Sequence, residues 1–202
     1  VGKWHLGFRP EYSPNAHGFD DYFGVLLGHA DYYRHTYKDG TYHLFENGAP
    51  VRAEGYLTDL FNARAVKFIE THAGRRPFFL YVPYNAVHWP FHTPDTLPPP
   101  LSEDNLYHGT RADYARMVER IDDGVGQMTA ALERAAELDN TLFIFTSDNG
   151  GERLSDNRPL FNHKTTLWEG GIRVPCLVRW PRQVPAGQVL DQPAITMDLT
   201  AT

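Results

Sequence analysis

Residues 111–151 read RADYARMVERIDDGVGQMTAALERAAELDNTLFIFTSDNGG, and this stretch decides the fold class. Tyr114, Val118, Ile121, Val125, Met128, Leu132 and Ala135 recur at helical spacing, one apolar stripe on a helix from about Arg111 to Leu138. Gly124 and Gly126 each weaken that helix by about 1 kcal/mol relative to Ala, and small residues there allow close packing. Asp139-Asn140 ends the pattern. Thr141-Leu142-Phe143-Ile144-Phe145-Thr146-Ser147 then follows as a short apolar run suited to a buried strand, ending in Asp148-Asn149-Gly150-Gly151.

The same alternation extends outward. Upstream, Leu57, Phe61, Phe68, Ile69 and His72 share one face of a helix over 57–73, and residues 77–83 (PFFLYVP) form a second apolar run. Downstream, residues 174–180 (VPCLVRW) give a third candidate strand. Helix, strand, helix, strand in this order predicts an α/β layered domain with a mainly parallel sheet. Asp39-Gly40 and Asn47-Gly48 suit tight turns and flank Thr41-Tyr42-His43-Leu44-Phe45, which predicts a small antiparallel meander. Residues 1–35 have no clean period and read as loop with short elements. The proline-rich stretch 89–109 reads as a long surface loop of the kind that often carries function.

Composition narrows the function classes. With 202 residues, 42% hydrophobic and 22% charged, the chain is sized and balanced for one globular domain. A net charge of −6 without a basic run argues against nucleic acid as partner. No apolar stretch approaches the roughly 20 residues of a membrane helix. The single cysteine, Cys176, rules out an intrachain disulfide and, inside a strand, reads as a small core residue. Position 1 is Val and the last residues carry no turn or polar tail, so the chain is expected to be truncated at both ends, with any export signal upstream.

In open α/β sheets, ligands sit beyond the carboxyl ends of strands. Asp148 and Asn149 stand at such an end and offer two hard oxygens, suited to Ca²⁺ or Mg²⁺ but too few alone for Ca²⁺, which takes about 6–8. On their own, Asp148-Asn149-Gly150-Gly151 read first as a turn. His88 follows the 77–83 strand and could donate a proton to a leaving group. Lys3 and His5, two apart, would face the same way in an extended segment. Lys164 lies upstream of the third strand. Two cations, two imidazoles and two hard oxygens together suit a tetrahedral anion.

Gly2-Lys3-Trp4-His5-Leu6-Gly7, Ser147-Asp148-Asn149-Gly150 and Lys164 through Glu169-Gly170-Gly171-Ile172-Arg173-Val174-Pro175 resemble, in the same order, the type I sulfatases of the alkaline phosphatase superfamily. Gly18-Phe19-Asp20, Tyr56-Leu57-Thr58-Asp59 and Arg179-Trp180-Pro181 are similar too. The resemblance implies a three-layer α/β/α alkaline-phosphatase-like fold, incomplete at both ends here, so that residues 1–202 form part of one catalytic domain. It implies sulfate-ester hydrolysis by a formylglycine made from a Cys or Ser in a Cys/Ser-x-Pro-x-Arg motif, with Ca²⁺ (or Mg²⁺) holding the sulfate. By position it implies that Lys3 contacts sulfate and formylglycine, that His5 bonds formylglycine, that His88 stands near the leaving oxygen and that Lys164 bridges sulfate and leaving group. Asp148 and Asn149 would be half of the metal site. Neither the Cys/Ser-x-Pro-x-Arg motif nor the family's N-terminal acidic pair occurs in the sequence, and both are expected upstream of Val1.

The expected partner is a sulfated small molecule or glycan, and the expected location, by family, is periplasmic or secreted. His29, Asp31, Tyr32, Tyr33 and His35 could meet a sugar or simply pack. Two other readings stay open: a phosphate or phosphonate monoester hydrolase of the same superfamily, and a non-catalytic protein that binds sulfated glycans.

Overall fold

The computed structural model describes residues 1–201. Ten elements follow in chain order: β1 (Gly2–Lys3), β2 (Phe23–Val25), β3 (Phe45–Glu46), β4 (Ala49–Pro50), α1 (Leu57–His72), α2 (Arg111–Arg134), β5 (Phe143–Thr146), α3 (Glu169–Ile172), β6 (Cys176–Arg179) and α4 (Asp198–Ala201), with three short 3₁₀ turns between them. The predicted helices form at the expected places. Thr110 caps α2 through a reciprocal box with Asp113, whose carboxylate accepts from the Thr110 backbone at 2.8 Å, and Ala135 follows its last turn.

The α1–α2 pair is the centre of the packing. Ala65, Ile69, Met128, Ala131, Leu132 and Leu138 make one cluster, and Phe23, Val25, Tyr32, Leu44, Leu57, Phe61, Phe91 and Met117 make the other. The buried face of α2 runs through Met117, Gly124, Met128, Ala131 and Leu132, while Val118 is exposed. The helix is therefore rotated slightly from the predicted stripe, because Gly124 lets α1 approach: a Cβ there would stand 2.0 Å from Asn62 Oδ1. Gly126 faces open space. Asn62 itself is buried and donates from its amide to the Arg120 carbonyl at 3.2 Å.

The sheets correct the expectation of a mainly parallel arrangement. Among the described residues only β1 and β2 pair in parallel; β2–β3, β3–β4 and β5–β6 are antiparallel. The β3–β4 hairpin turns on Asn47 and Gly48, both at positive φ (47° and 83°), as the Asn-Gly pair requires. The chain between β5 and β6 carries only the short α3, which is no crossover helix, so β6 returns antiparallel. Residues 77–83 run extended beside β1, where Lys3 N donates to Pro83 O at 2.7 Å and the Val1 amine to Tyr81 O at 2.9 Å, but they form no assigned strand.

The apolar runs are buried on one face only. Phe78, Leu80, Val82 and Phe143 pack on the helix pair, whereas Phe79 (75% exposed), Tyr81 and Phe145 face outward. Cys176, expected in the core, is exposed, as is all of β6, because among the described residues β6 pairs only with β5 and nothing covers its faces. No helix of the described residues is long and apolar enough to cross a membrane.

Candidate active site

Four backbone segments carry the candidate residues. The first follows β1. Trp4 N donates to Val25 O (2.9 Å) and His5 N to Leu26 O (3.0 Å), so the β1–β2 pairing is extended by two residues and delivers Lys3 and His5 together. This needs Gly2, whose φ is 127° and whose Cβ would collide with Pro83 O. His5 has φ 59°, a left-handed conformation unusual for a non-glycine residue and typical of functional sites.

The second segment carries His88. Its backbone N–H donates to Asn85 O at 3.0 Å, and its carbonyl accepts from the buried Tyr32 hydroxyl at 2.9 Å. Its Nδ1 lies 2.9 Å from Trp89 O, and a carbonyl can only accept, so Nδ1 carries the proton. Nε2 of the neutral ring is then a hydrogen-bond acceptor.

The third and fourth segments lock together. Gly150 N donates to Gly171 O (2.9 Å), and a Cβ on Gly150 would stand 1.9 Å from Gly170 O. The Asp-Asn-Gly-Gly and Glu-Gly-Gly stretches are thus two halves of one backbone contact, which explains why glycine recurs in both. Lys164 N donates to Gly151 O at 3.1 Å, so Lys164 is tied directly to the turn bearing Asp148 and Asn149.

The charged groups sense one another. Burial holds the Lys3 ammonium below its ordinary range, Asp148 opposes that, and Lys164 adds to it. Burial, then Lys3 and Lys164, lowers His5, and Asp148 opposes this. His88 is pushed down to about 4 by burial, helped by Lys3, Lys164 and the neighbouring His29, against its bond to Trp89. Lys3, His5, His88, Lys164 and Asp148 therefore share one electrostatic neighbourhood, with Asn149 adjacent. The concentration of cationic and desolvated groups disfavours further positive charge and suits an anion.

For a metal, the donor set fits in kind. Asp148 is exposed and, among the described residues, engaged in no hydrogen bond or ion pair. The Asn149 amide nitrogen donates to Gly150 O at 2.9 Å, which leaves its oxygen as a hard acceptor. Among the described residues no group of three or more His, Cys, Asp and Glu side chains is gathered as a metal cage.

Some of the expected sugar-facing cluster is core. Asp31, Tyr32 and His35 are fully buried: Asp31 accepts from Tyr33 N and Arg34 N at 2.8 Å each, and His35 Nε2 meets Gly55 O at 3.0 Å. His29 does border the site, packed on Tyr37 (ring centroids 4.4 Å) and Trp89 (4.5 Å) and stacked over His88 at 6.4 Å. Gly28 is a further residue of the site. It lies under the His5 ring, and nothing in a lone Leu-Gly-His stretch signals that.

The Sulfatase family profile matches residues 1–202. The chain is 36% identical to mouse N-acetylgalactosamine-6-sulfatase over 220 aligned residues, covering 100% of this chain and 41% of that protein. It is 39% identical to mouse arylsulfatase J, covering 90% of this chain and 32% of that protein. Among solved structures it superimposes on Ps i-CgsB, crystallised with k-i-k-neocarrahexaose, at a TM-score of 0.86 and 37% identity over 98% of this chain and 48% of that one. PsFucS1 sulfatase from Pseudoalteromonas sp. gives a TM-score of 0.67 at 26% identity, covering 93% of this chain and 43% of that one. The chain thus spans about two fifths of the length of the first curated relatives, and its fold is the α/β, alkaline-phosphatase-like fold of the solved sulfatases. By the profile match over its whole length and the identity to named relatives, this chain belongs to the sulfatase family.

Proposed function

We propose that this chain is the part of a sulfuric ester hydrolase catalytic domain that grips the sulfate and the leaving group of a sulfated carbohydrate. The observation that supports the reading is that Lys3, His5 and His88, far apart in sequence from Lys164, each feel its charge, and that Lys3 and His5 also feel Asp148.

Lys3 and Lys164 neutralise the sulfate oxygens, and preorganised charge in a partly desolvated site is worth more than in water. Burial, with the charge of Lys3 and Lys164 added, keeps His88 neutral. The negative charge of a bound sulfate would oppose the lysine part of that shift and favour a proton on Nε2, while Nδ1 stays committed to Trp89 O. That proton is then available to the leaving oxygen. His5 stands beside Lys3 as a second imidazole. Asp148 and Asn149 would hold Ca²⁺, or Mg²⁺, which when bound supplies Lewis-acid polarisation of the sulfate. The nucleophile would be a formylglycine on a segment outside these 202 residues, since no Cys/Ser-x-Pro-x-Arg occurs among them. The same reading makes residues 1–202 one portion of a single catalytic domain, exported to the periplasm or the medium; a single cysteine accords with a domain that needs no disulfide.

The test is sulfate release by the full-length protein from a sulfated saccharide and from 4-nitrophenyl sulfate, against phosphate release from 4-nitrophenyl phosphate. Sulfate release in clear excess supports the reading, and a preference for phosphate overturns it. The 202-residue chain by itself is expected to release no sulfate.

A further inference from the structure

The segment from His88 to Pro99 contains Pro90, Pro94, Pro98 and Pro99, none of which has an N–H to offer a hydrogen-bond ladder. Such a segment must be held largely through its carbonyls. Three consecutive residues do this from one side. Tyr32 Oη donates to His88 O at 2.9 Å, Tyr33 Oη to Thr93 O at 2.8 Å, and Arg34 Nη2 to Pro98 O at 2.8 Å.

The three holding residues are themselves fixed. Asp31 is fully buried and accepts from Tyr33 N and Arg34 N at 2.8 Å each, and from the Arg34 guanidinium at 3.3 Å. Tyr32 O accepts from Leu57 N, at the start of α1, at 2.7 Å. The Tyr32 ring is fully buried and stacks on Tyr56 with centroids 5.3 Å apart. The end of a long, packed helix therefore sets where the Tyr32 hydroxyl stands.

Of the three contacts, only that of Tyr32 falls on His88. The other polar groups of His88 are committed too: its N–H donates to Asn85 O at 3.0 Å and Nδ1 to Trp89 O at 2.9 Å. Among the described residues Nε2 is the one polar atom of His88 without a hydrogen bond. A proton donor works only within a narrow geometry, and an error of about 1 Å costs up to about 100-fold. The Tyr32 hydroxyl spends its single proton on a backbone carbonyl, so its contribution is to place a group and not to react.

Resting on the hydrolase reading, we propose that Tyr32 is a positioning residue for this reaction: by holding the His88 carbonyl, its buried hydroxyl sets the ring where Nε2 meets the leaving oxygen. Tyr33 and Arg34 hold the remainder of the loop, beyond the reacting group.

The experiment measures sulfate release from a sulfated saccharide by the full-length protein and by Tyr32→Phe, Tyr33→Phe, His88→Gln and the Tyr32→Phe/His88→Gln double variant. Tyr32→Phe removes one hydroxyl and keeps the stacked ring. It is expected to lower kcat about tenfold and leave KM within about twofold, as for a group that acts only in the transition state. Tyr33→Phe loses the same kind of bond to the same loop, away from His88, and keeps kcat within about twofold of the wild type. In the double variant the loss of the hydroxyl adds nothing to the effect of His88→Gln, because the two residues act as one unit. Equal losses in the two tyrosine variants, a Tyr32→Phe effect that persists in full without His88, or a Tyr32→Phe protein unfolded at the assay temperature overturns the positioning role alone. Undiminished release by His88→Gln removes the proton donor that Tyr32 would place and overturns it as well. No release by the wild type overturns the hydrolase reading and this proposal with it.

Discussion

Gly28 lies directly beneath His5: a Cβ at position 28 would stand 2.7 Å from His5 Nε2 and 2.9 Å from its Cε1. The obstructed atoms are the far end of a side chain, so an added methyl displaces the ring more readily than it breaks the fold. Gly28→Ala is expected to reduce sulfate-release kcat at least about tenfold, by misplacing a group that acts within a narrow geometry. Its melting temperature should move by only about 2 °C. A large loss of melting temperature with kcat unchanged would contradict this positioning role.

Gly124 makes a different prediction about stability. In an exposed helix, Gly→Ala stabilises by about 1 kcal/mol. At position 124 the new Cβ would meet Asn62 Oδ1 at 2.0 Å inside the α1–α2 interface. Gly124→Ala is therefore expected to destabilise by about 1–3 kcal/mol, while Gly126→Ala, facing open space, stabilises or is neutral. Urea unfolding of the two variants reads opposite signs if the helix packing is right.

His29, His88 and His92 are each pushed down to about 4 chiefly by burial, with His92 held up in part by Asp31 and lowered further by Arg34. Their ordinary value is near 6.5, so between about pH 6.5 and 4 the unfolded chain binds more protons than the folded one. Stability is thus expected to rise with pH through that window and to be lost as pH falls through it. Melting temperatures measured from pH 4 to 7 check this, and His92→Gln should flatten the profile.

The metal assignment is testable without turnover. Ca²⁺ that binds only the folded protein raises its melting temperature by mass action. Chelation is expected to lower the melting temperature of the full-length protein, and Asp148→Ala to abolish the Ca²⁺-dependent part of the rise. An Asp148→Ala protein that keeps the full Ca²⁺ response would put the metal elsewhere.

How much of this was legible in the sequence varies with the range of the interactions involved. The two long helices and the Asn47-Gly48 turn depend on local periodicity and φ preference, so they appear where the residues predict them. Strand direction does not depend on local pattern. Phe143–Thr146 and Cys176–Arg179 look alike in sequence whether parallel or antiparallel, and only the return path of the chain between them decides. Burial of an apolar run is not a local property either: a run of Phe, Leu and Tyr at 78–82 does not tell which face another element covers, and Phe79 and Tyr81 are open. At the site, Lys3, His5, Asp148 and Asn149 could be singled out because they stand in short motifs near strand ends. Gly28 and Asn157 could not, since their roles consist of a close approach to His5 and a clamp across the 151–162 loop.

The most direct measurement of the central claim is inorganic sulfate released from a sulfated saccharide by the full-length protein and by its Lys3→Ala and Lys164→Ala variants, with folding checked by circular dichroism. The account predicts release by the wild type and a loss of about 100-fold or more in each folded variant, the scale of removing one preorganised charge-stabilising group. Undiminished release in either variant, or none from the wild type, would contradict it.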